Sequence, residues 1–290
     1  MSRYDDLMAL EFPETVQHLT RRDTILYALG VGAEELDLVI EDRLRPIPSM
    51  AVTLAYPGFW YRDLRTGLDH ARVVHAAERF TLHRPLPVEG ELCARPRITA
   101  IHDKGAGRGA LIESTRTIRD VQGRDVATVV QTAFCLADGG LGGPQVPPPA
   151  PESMPDRVPD MRVQVPTDPR AALIYRLSGD PNPLHYDPAA ARRAGFDGPV
   201  LHGLASMGHV CRLLCPDEMD RIVEMECRFT GFVRPGERLR VDRWDTPEGY
   251  RFRATVEGRR ALDAGRIQLA PGPGNDIAAA LQTTKPEKGM

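Results

Sequence analysis

Asp180, Asn182 and His185 place a carboxylate, a side-chain amide and an imidazole within six residues. A carboxylate and an imidazole so close can share one water molecule, one group removing a proton and the other helping to deliver it. Pro181 and Pro183 interrupt the same run. Proline fixes its own φ and pushes the residue before it toward extended geometry, so the run cannot be a regular helix and instead holds Asp180 and Asn182 on a stiff, turning backbone. Downstream, Gly198, Pro199 and Gly203 punctuate the chain, and Leu204, Met207, Val210, Cys211 and Leu214 then recur at helical spacing. That pattern predicts a buried helix opening at His202-Gly203. A helix N-terminus presents unpaired N–H groups and a partial positive charge, which suit it to hold an oxygen that gains negative charge in a reaction. A capped turn with a surface histidine would account for any one of these residues, but not for the whole run.

The run resembles the signature of the MaoC-like, or R-specific, 2-enoyl-CoA hydratases (hydratase 2). In that signature a Gly-Asp-x-Asn-Pro-[Leu/Ile/Val]-His core precedes a His-Gly-[Leu/Met] helix start. Gly179, Asp180, Asn182, Pro183, Leu184 and His185 match the core, and His202, Gly203 and Leu204 match the helix start. The resemblance implies a hotdog fold, a helix wrapped by an antiparallel sheet, and reversible hydration of trans-2-enoyl-CoA to (3R)-3-hydroxyacyl-CoA. It makes Asp180 and His185 the acid-base pair on one water, with Asn182 orienting and the backbone N–H of Gly203 holding the enolate oxygen. CoA belongs to the substrate, and no cofactor or metal is implied. Contacts to the acyl-CoA are expected from Pro183, Leu184, His202 and Phe229. Two stretches of the first half also resemble substrate-contacting segments of the two-hotdog members. His75-Ala76-Ala77-Glu78, leading to Arg84-Pro85-Leu86-Pro87, parallels a His-Gly-Glu-Gln segment before a basic-Pro-Leu-Pro element, with alanine in place of that glycine. Asp103-Lys104-Gly105-Ala106-Gly107 parallels a turn whose lysine meets CoA, so His75, Ala76 and Lys104 join the expected CoA contacts. The rival readings are a hotdog acyl-CoA thioesterase, a non-catalytic acyl-CoA-binding protein, and a metal hydrolase using Asp180, His185, His202 and His209.

These residues need a scaffold, and the composition limits what it can be. The chain has 290 residues, 42% of them apolar, and a formal charge of −3, enough for two modest domains or one large one. That balance gives no electrostatic footprint for nucleic acid, and no apolar run approaches the roughly 18 residues a membrane span needs. Acidic Asp5, Asp6 and Glu11 stand where a signal peptide would be basic, so a cytoplasmic setting is expected. The five cysteines show no Cys-x-x-Cys spacing and read as small buried apolar residues. Only Lys104, Lys285 and Lys288 of the 37 basic residues are lysines, a bias that GC-rich codon usage explains for most positions.

The halves echo one another. Tyr27 in DTILYALGVG aligns with Tyr175 in AALIYRLSGD, and Arg79-Phe80-Thr81 aligns with Arg228-Phe229-Thr230 at nearly the same offset. Two echoes in register indicate an internal duplication. Gly32 then stands where the second copy has Asp180, and no histidine follows, so only the C-terminal half keeps the acid-base pair. The expected architecture is α+β: a double hotdog with a degenerate first unit, pseudo-dimeric within one chain, with a homodimer possible. The first unit is expected over 1–138, a Pro/Gly-rich linker over 139–160, the catalytic unit over 161–270 and a disordered tail over 271–290. Strand-like runs at 111–118, 126–137, 224–232, 237–244, 250–256 and 264–269 supply the sheets. Where the first half should have its central helix, Leu44 to Tyr61 is broken by Pro46, Pro48 and Pro57, with Met50, Val52, Leu54 and Phe59 as candidate acyl-pocket residues.

Overall fold

The computed structural model describes residues 2–144 and 146–272. The tail expected over 271–290 lies outside the described residues beyond Gly272. The first half forms β1 (Thr15–Leu19), β2 (Val73–Leu82), β3 (Gly90–Ala94), β4 (Arg97–Asp103), β5 (Ala110–Asp120) and β6 (Asp125–Cys135). The second forms β7 (Met161–Pro166), β8 (Ile222–Phe229), β9 (Arg238–Thr246), β10 (Gly249–Val256) and β11 (Arg259–Leu269). All pair antiparallel in one sheet, β1-β3-β5-β6-β2-β8-β11-β10-β9-β7, with β4 also on β5. From the β2–β8 junction the order runs outward as β6-β5-β3-β1 on one side and β11-β10-β9-β7 on the other. A duplicated unit joined edge to edge produces this symmetry. The junction is a ladder from Ala77↔Arg228 to Thr81↔Glu224, so each half covers the strand edge the other would expose.

Period-2 patterning sets the faces: along β5, Ala110, Ile112, Ser114, Arg116 and Ile118 are buried and the residues between them half-buried. The helix Gly203–Leu214 is buried nearly all round, as its apolar spacing predicts, and shares one core cluster with the strands. The first unit lacks such a helix. Leu44 to Tyr61 yields only the 3-10 segment Pro48–Thr53 and the short helix Trp60–Asp63, because its prolines cannot donate and clash with the preceding turn. Thus the expected double hotdog has one full central helix, in its second unit. The aligned tyrosines meet at the centre, with Tyr27 and Tyr175 ring centroids 5.8 Å apart.

Between Cys135 and Met161 the described residues form neither helix nor strand, yet this linker is strapped down. Gly140 and Leu141 donate backbone N–H groups to Asp103 at 2.9 and 2.7 Å, and Trp244 Nε1 donates to the Arg157 carbonyl at 2.8 Å. Leu141 is buried in a second core cluster with Leu7, Phe12, Trp60 and Ile101. A stretch dense in glycine and proline thus still contributes to the core at Leu141. The cysteines carry no disulfide, and four of the five are buried. No helix among the described residues is long and apolar enough to cross a membrane.

Candidate functional site

The candidate catalytic run is a chain of short capped turns. The helix Ala171–Tyr175 tightens into the 3-10 turn Arg176–Ser178 and stops at Gly179, which has φ 119°. That left-handed conformation suits glycine, and it turns the chain so that Asp180 follows directly. Asp180 Oδ1 accepts the Asn182 backbone N–H at 3.1 Å, leaving Oδ2 free. Asn182 Oδ1 caps the next turn by accepting the Leu184 N–H at 3.0 Å, with Pro183 at its first position, and the Asn182 NH₂ stays available for other work. The turn delivers His185 into the interior.

His185 Nδ1 lies 2.8 Å from the Val200 carbonyl oxygen. A carbonyl can only accept, so Nδ1 carries the proton and the neutral ring has a bare Nε2. That nitrogen faces Asp180 Oδ2 across 3.9 Å, too far for a direct hydrogen bond and a gap that one water molecule spans. Burial pushes the His185 pKa down, while the Asp180 carboxylate and the Val200 carbonyl pull it partly back. Behind His185 lies His202, its ring stacked at 3.6 Å between centroids and 25° between planes. His202 Nε2 donates to the Asp180 backbone carbonyl at 3.2 Å, and burial, then the neighbouring His185, pushes its pKa down to about 2. His202 was expected to contact the substrate, but at 2% exposure it sits behind the pair.

Gly203 opens the helix with its backbone N–H unpaired among the described residues, since Ser206 is the first residue to return to His202. A Cβ at Gly203 would lie 2.8 Å from Phe229 Cδ1, so the aromatic ring closes over the helix start. His75 packs edge-on against Phe229 at 4.6 Å and donates Nε2–H to Glu78 Oε2 at 2.8 Å. Ala76 falls at the bulge where the β2–β6 register shifts. The structure therefore gathers Asp180, His185, His202, Gly203, Phe229 and His75, with Pro183 and Leu184 on the turn between. Lys104 stands apart on the β4–β5 hairpin, its Nζ 4.6 Å over the Phe134 ring. It lines a cleft of about 460 Å³ with Arg108, His102 and the linker residues Val146, Pro147 and Pro148.

A cavity of about 320 Å³ reaches the catalytic turn at Ser178 and Gly179 and is lined by Met50, Leu54, Tyr27 and Tyr56. Met50 and Leu54 were expected acyl-pocket residues; Val52 and Phe59 are not among its lining. Tyr56, which no motif marks, lines this cavity, and Glu78, whose segment pointed only to His75 and Ala76 as contacts, is bonded to His75. Burial, then the Asp180 charge, raises the Tyr56 phenol above its ordinary pKa. Glu78 is 2% exposed, with Oε1 unpartnered. Its signal was present in the sequence: Glu78, Phe80 and Leu82 share one strand face, so an acid is forced inward. In the first half the place of Asp180 suits glycine, since Gly32 has φ 74° and a Cβ there would lie 3.3 Å from His209 Nε2.

The description "MaoC like domain" fits residues 151–264, and "MFE-2 hydratase 2 N-terminal domain" fits residues 18–137. The chain is 37% identical over 272 residues to the 3-hydroxyacyl-thioester dehydratase Y of Mycobacterium tuberculosis, covering 87% of this chain and 93% of that protein. It is 32% identical to the enoyl-CoA hydratase ChsH3 of the same organism, covering 87% and 92% respectively. Among solved structures, a MaoC-like dehydratase from Phytophthora capsici superposes with a TM-score of 0.83 at 27% identity, over 92% of this chain and 98% of that one.

Proposed function

The chain belongs to the MaoC-like, hydratase 2 family, and on that premise we propose that Asp180 and His185 add one water molecule across the double bond of a trans-2-enoyl-CoA. The enzyme is a hydro-lyase of the enoyl-CoA hydratase 2 class. The observation that carries the division of labour is the 3.9 Å gap between Asp180 Oδ2 and His185 Nε2. Water there donates one hydrogen to each group. As its oxygen adds to C3, His185 Nε2 takes the proton, Asp180 holds the other hydrogen, and a proton from the pair goes to C2 on the same face. The Gly203 N–H holds the thioester oxygen as it gains charge. By membership of the hydratase 2 family the product is the (3R)-3-hydroxyacyl-CoA, and the reaction runs in both directions. The substrate brings its own CoA, with His75 and Phe229 at the helix start and Lys104 on the hairpin as its contacts. The same reading takes no resident cofactor, a cytoplasmic setting and a homodimer as the larger assembly.

Hydration is followed by loss of enoyl absorbance with crotonyl-CoA and longer enoyl-CoAs, with chiral analysis of the product. Release of free CoA instead would mark a thioesterase. One observation favours a metal-dependent rival: donor atoms of Asp180, His185 and His202 all lie within 4.8 Å of one another. His209, which that rival would use as a further ligand, is not among the clustered donors and turns its Nδ1–H to the Ala205 carbonyl within the helix. Hydration that persists in chelator removes this rival.

A further inference from the structure

Two buried imidazoles on the central helix each leave one ring nitrogen without a partner among the described residues: Nδ1 of His202 and Nε2 of His209. Only His202 touches the reacting pair. The turn from Gly179 to Pro183 is held mainly by its own side chains, through Asp180 and Asn182 capping residues two positions on, and Gly179, Pro181, Asn182 and Pro183 are exposed. Local caps set the shape of a turn but not its place on the protein. The bond from His202 Nε2–H to the Asp180 carbonyl ties the turn to the start of the central helix. The same ring lies flat on His185, with Tyr175 5.0 Å away on another side. Next along the chain comes the Gly203 N–H.

We propose that His202 is a positioning residue for hydration: its Nε2–H anchors the Asp180 backbone while its ring fixes the plane of His185, holding both in register with the Gly203 N–H. The proposal rests on the Asp180–His185 reading. It replaces the expected substrate contact, because a side chain 2% exposed has no surface to offer a ligand. The titratable groups facing the ring are His185, Asp180 and Tyr175. Burial keeps His202 neutral, so when His185 takes a proton no second imidazolium repels it.

The test compares His202→Phe, which keeps a flat ring and loses the donor, with His202→Gln, which keeps an amide donor near the place of Nε2. Both are assayed for kcat, KM and thermal midpoint beside Asp180→Asn. His202→Phe is expected to lower kcat roughly 10- to 100-fold with KM within about twofold, the usual effect of moving a catalytic group by about an ångström. His202→Gln should recover most of that loss. A rise in KM at unchanged kcat would return His202 to the substrate site, and equal losses in both variants would deny the anchoring bond; either result overturns the proposal. If His202→Phe fails to fold, His202→Gln decides alone: kcat within about fivefold of the parent upholds the anchor, and a fall to the level of Asp180→Asn overturns it. Intact hydration by Asp180→Asn would instead overturn the underlying mechanism, whatever His202 does.

Discussion

At the scale of residues, the pair can be tested directly. Asp180→Asn and His185→Gln should each lower kcat by roughly 10²- to 10⁴-fold, and because they share one water the double variant should fall little below the worse single one. Full additivity would mean two independent roles. Asn182→Ala should lose less, since its oxygen caps a turn rather than touching the reacting atoms. Protonation of His185 removes the base, and burial holds its pKa below the ordinary imidazole value. The acid limb of kcat/KM should therefore lie below pH 6.5, and a limb above that value would contradict a buried His185 as the base. Lys104→Ala should raise KM and leave kcat near its parent value if the hairpin lysine meets the CoA moiety. Asp180 and His185 were legible because six consecutive residues carry their signature, and the two prolines declare the turn that holds them. The Val200 carbonyl and Tyr56 were not, because each owes its place at the site to the fold.

At the scale of elements, the central helix was legible from its period and the sheet from its strand-like runs. What no period could show is how the helix meets the first half. A Cβ on Gly208 would lie 2.5 Å from Val31 Cγ1 and 2.9 Å from the Tyr27 hydroxyl oxygen. Both are buried residues of the first unit, and the helix–sheet contact allows them little retreat. Gly208→Ala improves helix propensity and should still destabilise the protein by about 1–3 kcal/mol through overpacking. Urea unfolding measures it, and an unchanged or higher midpoint would deny the close approach. The prolines of the first half announced that a long helix could not form there. They gave no sign that Pro48–Thr53 would pack in its stead, since 3-10 turns carry no amphipathic period to read.

At the scale of the whole molecule, buried neutral histidines set the acid tolerance of the fold. Burial depresses His202 to about 2 and His209 to about 4, while in the unfolded chain both bind protons near pH 6.5. A depressed folded pKa gives stability that is full above the unfolded value and is lost as pH falls, because the unfolded chain takes up protons the fold refuses. Each such proton weighs about 1.4 kcal/mol per pH unit, so the urea midpoint should fall steadily from pH 6.5 to about 4. A flat profile over that window would mean that these imidazoles are hydrated. The duplication was legible in two short echoes, whereas the strapping of the linker was not, since Leu141 and the Asp103 cap join only after folding. The β2–β8 ladder joins two units that are written separately in one gene product. In an enzyme of two identical subunits, every substitution appears in both sites, so neither can decay without the other. Here Gly32 stands where the second unit has Asp180, and under the proposed mechanism the first unit is free to specialise as a wall and a contact surface while its partner carries the chemistry. The heritable unit of the reaction is half a chain, and the other half is released from copying it.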